Sequence, residues 1–246
     1  MNMKSIIKFI ITSRGVSIIR NNKKRISLLF YFIHFKYIKN RVRNFSFNNK
    51  QYSYFWRSYN KTFQNERAIE LPIILDYISK SKGQKILEIG NVVSHYLKQN
   101  YDIVDKYEIG DGVLNYDIND FNPKENYDLI ISVSTFEHIG FDEAKRYSET
   151  KGINVESFSL LKAIEKTKNL LNPKGKFIFT VPLGFNDFLD DQIKNNNLNL
   201  SETFFFKRVS SLNEWKQVEY VDVQNSKYGE PYICANGLMI GVYHKN

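Results

Sequence analysis

The sequence predicts an α/β fold: a Rossmann-like, mostly parallel sheet with helices on both faces, preceded by a basic, partly helical N-terminal arm. Three observations predict it. From about Arg67 onward, short apolar runs closed by glycine or an acid alternate with longer helical segments, the pattern of strands joined by crossover helices. Runs such as "KILEIG" (Lys85–Gly90) and "YDLIISVS" (Tyr127–Ser134) are nearly continuous in apolar residues, as strands buried on both faces are. Charge is also unevenly divided. Residues 1–50 hold twelve Lys/Arg and no Asp/Glu, leaving 23 basic against 26 acidic residues in 51–246. The net +9 therefore describes a slightly acidic domain behind a strongly basic arm, and the arm calls for an anionic partner.

The arm, residues 1–50, carries its longest uncharged run at Ile26–Phe35, ten residues against the ~20 a spanning helix needs. Its first apolar run (Ile6, Ile7, Phe9, Ile10, Ile11) is broken by Lys8 and has no small-residue cleavage site, which argues against a secretory signal. Leu28, Leu29, Phe32, Phe35 and Ile38 stand near helical spacing among basic residues. That pattern fits a helix packed on the domain or one lying on an anionic membrane surface, with nucleic acid as a further anionic partner for the arm. "NFSFNNKQYSYFW" (Asn44–Trp56) reads as an irregular aromatic connection.

Then the elements follow in order. "RAIELPIILDYISKSKG" reads as a helix with Pro72 early in it, ending near Gly83. "KILEIG" is the first strand, followed by a short helix over 93–99. "YDIVDKYE" and "GVLNYDI" are the second and third strands, and "YDLIISVS" is the fourth. "SFSLLKAIEKTKNLL" is an amphipathic helix closed by the turn signal "NPKG". "KFIFTVPLG" is the fifth strand, a late helix follows near 213–217, and "YICANGLMIGVYH" supplies the last strand.

In an open sheet of this kind, ligands lie outside the carboxyl ends of the strands. The residues there are Glu88, Gly90 and Asn91, then Asp105 and Glu108, then Asp117 and Ile118, then Ser134, Glu137 and His138, then Asn186. Acids close three successive units. A phosphate-rich cofactor wants backbone N–H groups and cations there; one with hydroxyls, an ammonium and an adenine amine wants carboxylates. The glycines that let backbone approach a pyrophosphate are replaced by Val92 and Ser94, which argues against a nicotinamide dehydrogenase. No His/Cys/Asp/Glu group has metal-ligand spacing. The single Cys234 excludes a disulfide framework and fits the reducing cytoplasm.

From about Asn65 onward, "ILEIG", "YDLIISVSTFEHIG" and "LLNPKGKFIFTVP" resemble, in order, the motifs of class I S-adenosylmethionine-dependent methyltransferases. "EIGNVVSHY", "DIVDKYE", "STFEHIGFDE" and "TVPLGFND" together resemble an uncharacterised branch of that superfamily, found beside cell-surface polysaccharide genes. The resemblance implies S-adenosyl-L-methionine as cofactor. It implies that Glu88 neighbours the methionine ammonium and that Gly90 lets the loop pass beneath the cofactor; Asn91, next on that loop, tolerates the left-handed angles a turn without further glycines needs. Asp105, with Glu108 as its rival, takes the ribose hydroxyls. Asp117 and the Ile118 N–H lie by the adenine, and Ser134 belongs to the same rim. Capping of the following turns is the competing reading of Glu88 and Asp117.

His138 is a candidate general base because its pKa lies near working pH, with Glu137 orienting it or competing for the role; the competing reading is pocket lining. Asn186, Trp215, Tyr232 and Asn236 are candidate polar and stacking contacts to a small-molecule or glycan acceptor. The expected activity is O-methylation of that acceptor in the cytoplasm, with peripheral contact at the inner membrane surface through residues 1–50. The alternative is a catalytically degenerate scaffold of the same fold. A nucleic-acid substrate is disfavoured, since no Asn/Asp-Pro-Pro-aromatic motif follows the fourth strand.

Overall fold

The computed structural model describes residues 35–37, 39–141 and 155–246, with the backbone alone for 155–158. The chain forms two compact units, residues 1–43 and 44–246. In the first, residues 35–37 and 39–41 are helical, and the Arg41 guanidinium lies 5.1 Å over the Tyr37 ring. Leu28, Leu29, Phe32 and Ile38 of the expected amphipathic face lie outside the described residues.

The second unit opens with a hairpin where the sequence suggested an irregular connection. Strands β1 (Asn44–Phe47) and β2 (Lys50–Ser53) pair antiparallel. Phe45 and Phe47 point inward while Asn44 and Ser46 face out, the period of two that a half-buried strand requires. Asn48 and Asn49 turn the chain at φ 50° and 61°, the left-handed pair that a two-residue hairpin loop needs and asparagine tolerates.

Helix α1 (Arg67–Lys80) contains Pro72, which has no N–H to offer the carbonyl four residues back. That carbonyl, on Ala68, instead accepts the Phe55 N–H at 2.9 Å. The proline thus frees an acceptor that fastens the segment after β2 to α1.

The main sheet contains β3 (Ile86–Ile89), β4 (Asp102–Val104), β5 (Val113–Leu114), β6 (Tyr127–Val133), β7 (Leu171–Pro182), β8 (Glu202–Arg208), β9 (Trp215–Val218) and β10 (Gly237–His244). Their spatial order is β5-β4-β3-β6-β7-β10-β8-β9. The five strands from β5 to β7 run parallel. Strand β10 is inserted antiparallel between β7 and β8, and β9 pairs antiparallel with β8. The Rossmann-like, mostly parallel architecture is therefore the observed one.

Helices cover both faces. On β7, Thr180 bonds to Glu70 of α1. Its neighbours Phe179 and Val181 point the opposite way and share a core with Leu160, Ala163 and Ile164 of α2 (Val155–Asn169). Two expected helices are not formed. Residues 93–99 hold only a 3-10 turn, Val93–His95, after which the Tyr96 ring packs edge-on against Phe55 and Tyr59. Near 213–217 the chain forms β9, because Trp215 is buried and Asn213 is held at φ 61° by bonds to the Thr62 and Asn65 carbonyls.

Candidate active site

Strands β4 and β5 lie to one side of β3, and β6 and β7 lie to the other. The loops after β3 and β6 therefore part, which is where ligands enter open α/β sheets. A cavity of about 490 Å³ opens there, lined by Gly90–Val92, Asp105–Glu108, Tyr116–Ile118, Ser134–Thr135 and His138–Gly140. Its size falls within the range of roughly 300–1,000 Å³ usual for small-molecule sites.

Gly90 is fixed by two constraints. Its φ is +82°, and a Cβ there would overlap the Thr135 side chain. The loops after β3 and β6 thus touch backbone to side chain at this point. The Gly90 N–H donates to the Val104 carbonyl at 2.8 Å, tying the same loop to β4.

Glu88 does not line the cavity. It is fully buried, and its Oε1 accepts the Val92 and Val93 N–H groups at 2.8 and 2.6 Å. Its Oε2 accepts the Tyr101 hydroxyl at 3.1 Å. Burial pushes the carboxyl up to about 7, against the pull of those N–H donors and of Tyr101. Glu88 holds the loop that lacks glycines in its bent form, close to the capping role that competed with direct contact. Asn91 lines the cavity and donates to Glu108 Oε1 at 2.7 Å. Its Oδ1 accepts the Ser94 hydroxyl.

The next two loops are ordered by acids. Asp105 accepts N–H bonds from Asn91 (3.2 Å), Tyr107 (2.8 Å) and Glu108 (2.7 Å), so one carboxylate joins the loops after β3 and β4. Glu108 is half-exposed and lies 2.9 Å from His95 Nε2. Asp117 accepts the Asn119 N–H at 2.9 Å and pairs with Lys106 at 3.0 Å. Burial pushes the Asp117 carboxyl up, but the Asn119 N–H and the Lys106 ammonium outweigh it and hold the group below its ordinary value. Ile118 is buried beside it against the cavity.

Behind the far wall lies a group that sequence reading missed. Ser134, held at φ 39°, donates its hydroxyl to Glu70 Oε1 at 2.6 Å. Thr180 donates to the same oxygen at 2.6 Å, and Arg67 pairs with Glu70 Oε2 at 2.5 Å. One carboxylate of α1 therefore pins the ends of β6 and β7. The available signal was an acid inside the apolar stretch Ala68–Ile74, which at helical spacing faces the core.

Glu137 is 1% exposed, and its Oε2 has no hydrogen-bond partner among the described residues. Burial raises its carboxyl well above the usual range, only partly offset by its own N–H and by Arg67. His138 lines the cavity, with its ring 4.8 Å from Phe185 and its Nε2 3.9 Å from Glu137 Oε1.

The four residues expected to contact an acceptor line neither this cavity nor the second one described below. Asn186 caps α3 (Asp187–Lys194) through the Leu189 N–H and donates to the Glu137 carbonyl at 2.9 Å. Trp215 is buried on β9, with its indole N–H given to Asn213. Asn236 donates to the carbonyls of Lys227, Tyr232 and Cys234, and the Tyr232 ring lies under the Arg208 guanidinium at 5.0 Å. Aromatic and amide side chains read as ligand contacts are here used to fold the 227–236 loop and the β9 edge.

A second cavity of about 350 Å³ shares Asn91 and Val92 with the first and is otherwise lined by Tyr59, Asn60, Arg67, His95 and Tyr96. Among the described residues, no group of three or more His, Cys, Asp or Glu could hold a metal ion, and no helix is long and apolar enough to cross a membrane.

No family model matches the chain, and no curated protein matches it by sequence. Solved structures do resemble it. One is the N-methyltransferase NodS from Bradyrhizobium japonicum in complex with S-adenosyl-L-homocysteine: 11% identity, 77% of this chain and 97% of that one, TM-score 0.42. A second is an S-adenosylmethionine-dependent methyltransferase from Clostridium acetobutylicum: 13% identity, 71% and 89% coverage, TM-score 0.37. A third is a TehB-like methyltransferase from Corynebacterium glutamicum: 16% identity, 71% and 86% coverage, TM-score 0.37. At such distances the chemistry of the site is read from this chain's own residues.

Proposed function

We propose that the chain is an S-adenosyl-L-methionine-dependent methyltransferase acting on a hydroxyl of a small or glycan-like acceptor. The observation that carries this reading is the switch-point cavity whose rim holds three carboxylates against one lysine, Lys106, which pairs with Asp117. Asp105, Glu108 and Asp117 stand on the first loops past β4 and β5, and Val92 fills the place of a phosphate-cradling glycine. A pyrophosphate meets repulsion on such a rim. A ligand with ribose hydroxyls, an adenine amine and an ammonium meets acceptors. The donor set therefore fits S-adenosyl-L-methionine, which would supply a methyl group on a sulfonium.

The protein's own part is to bind and orient. Asp105 and Glu108 would hold the ribose side, Asp117 and Ile118 the adenine side, and Gly90 and Asn91 the passage between them. Ser134, kept in place by Glu70, shapes the opposite wall. His138 would take the acceptor proton, with Glu137, 3.9 Å away, orienting its ring. The basic arm would keep the enzyme near an anionic membrane surface.

Calorimetric titration with S-adenosyl-L-homocysteine tests the reading. We expect binding at or below about 100 μM, an ordinary ligand affinity. Absence of heat and of any thermal shift at that concentration would sink it in favour of a scaffold with the methyltransferase fold. The carboxylates engaged with backbone N–H groups favour that second reading to this extent: Asp105 has a structural task even without a ligand.

A further inference from the structure

We propose that the second cavity binds a neutral, hydroxyl-bearing ring compound and presents it to the first cavity across Asn91 and Val92. Calling that compound the methyl acceptor rests on the reading of the first cavity given above; the binding site itself does not.

The charges decide the class of ligand. Arg67 is the arginine lining this cavity, but its guanidinium pairs with Glu70 at 2.5 Å and is flanked by Glu66 and Glu137. All three carboxyl groups are buried. A carboxylate or phosphate ligand would find no net positive charge here. His95 does not supply one either, since the Glu108 carboxylate faces it at 2.9 Å. A cation fares little better, because burial favours the uncharged forms of Glu66 and Glu137.

Arg67 still has one free direction. Its Nε is buried with no hydrogen-bond partner among the described residues, and a buried donor left unmade is costly. A small shift of the side chain would bring it to an uncharged oxygen in the cavity without displacing Glu70.

The walls decide the shape. Tyr59 is 54% exposed and packs edge-on to Tyr96 at 5.3 Å. It leaves ring surface open to a flat partner or to the apolar face of a sugar. Asn60 and Lys61 follow it at φ 48° and 46°, left-handed positions that non-glycine residues hold only where the fold imposes them. The volume of about 350 Å³ lies at the lower end of small-molecule sites, enough for one or two rings.

The test is ligand-observed NMR titration of the full chain, saturated with S-adenosyl-L-homocysteine. The probes are methyl glucoside and phenol as neutral rings, with glucuronate and glucosamine as charged counterparts. We expect a neutral probe to bind several-fold more tightly than the charged ones. Tyr59→Ala, at an exposed position, should weaken it by about three- to tenfold, the range of a lost aromatic contact. Arg67→Lys, which keeps the charge but removes Nε, should weaken it comparably while the circular dichroism spectrum stays unchanged.

Preference for glucuronate or glucosamine overturns the proposal, as does indifference to Tyr59→Ala. Release of the probe by S-adenosyl-L-homocysteine also overturns it, since the cavity would then belong to that ligand. If the homocysteine compound binds and no neutral probe does, this inference fails and the methyltransferase reading stands. If a neutral probe binds in a Tyr59-dependent way and the homocysteine compound does not, the site stands and the methyltransferase reading fails.

Discussion

Glu88 shows how one buried carboxyl couples the loop to pH. Its ordinary value of 4.5 is raised by burial to about 7. Between those values the folded chain keeps a proton that the unfolded chain has released, so stability falls as pH rises across that window. Glu88→Gln keeps an acceptor for the Val92 and Val93 N–H groups and has no proton to lose. Urea melts from pH 5 to 8 should show a flatter profile for it, its stability relative to the parent rising with pH across that window. Gly90→Ala should do the opposite at every pH. A left-handed Cβ costs about 1–2 kcal/mol and the overlap with Thr135 adds overpacking of about 1–3 kcal/mol, so the thermal midpoint should drop and ligand binding with it. Asp105→Ala removes the acceptor of three N–H groups and should weaken S-adenosyl-L-homocysteine binding at least tenfold, about 1.4 kcal/mol, in a calorimetric titration. The strand-end acids were legible because they follow apolar runs. That Glu88 turns inward while Asp105 faces the cavity was not, since both follow β-forming residues and only the three-dimensional path of the loop separates them. Glu70 was missed for a related reason: its partners Ser134 and Thr180 are 64 and 110 residues away.

At the scale of elements, the hairpin β1–β2 offers a clear test of what holds the second unit together. Phe47 is buried and meets Phe204 edge-on at 5.0 Å, with Phe206 at 5.7 Å. Phe47→Ala should therefore cost about 3–5 kcal/mol, as other buried phenylalanines do, measured as a lower denaturation midpoint with an unchanged slope. The hairpin had a readable signature, since alternating Phe45 and Phe47 precede an Asn-Asn turn, but the surrounding aromatics obscured the alternation. Strand β8 was hidden by a run of three phenylalanines (Phe204–Phe206), which has no period of two. Strand β9 is a case of tertiary contact overriding local preference. Residues 215–218 are extended because β8 offers an edge and Tyr54 accepts Trp215 into the core, its hydroxyl 2.7 Å from the Trp215 N–H.

For the whole molecule, the uneven charge is the dominant fact. The basic first fifty residues and the slightly acidic remainder should behave differently toward an anionic surface. Replacing Arg20, Lys23, Lys24 and Arg25 by Gln should reduce co-sedimentation with phosphatidylserine vesicles, each charge near the surface contributing about 1 kcal/mol. Neutral vesicles should not distinguish the two proteins, and raised salt should erase the difference. Composition made that division visible at once. The parallel half of the sheet was equally visible, because alternation of strands and helices leaves few other arrangements. The placement of the last strand was not, because an antiparallel insertion between two earlier strands leaves no mark on local periodicity.

That insertion has a consequence for how the chain is made. Strand β10 is last in sequence yet lies between β7 and β8, so β8 and β9 have no bridge to the parallel strands until residues 237–244 have formed. During synthesis the growing chain must carry the apolar edges of β7 and β8 open, and long-range pairings of this kind are slow and expose the chain to aggregation. A premature stop just before Gly237 would leave two unsealed edges, the state in which one half-made copy can capture another.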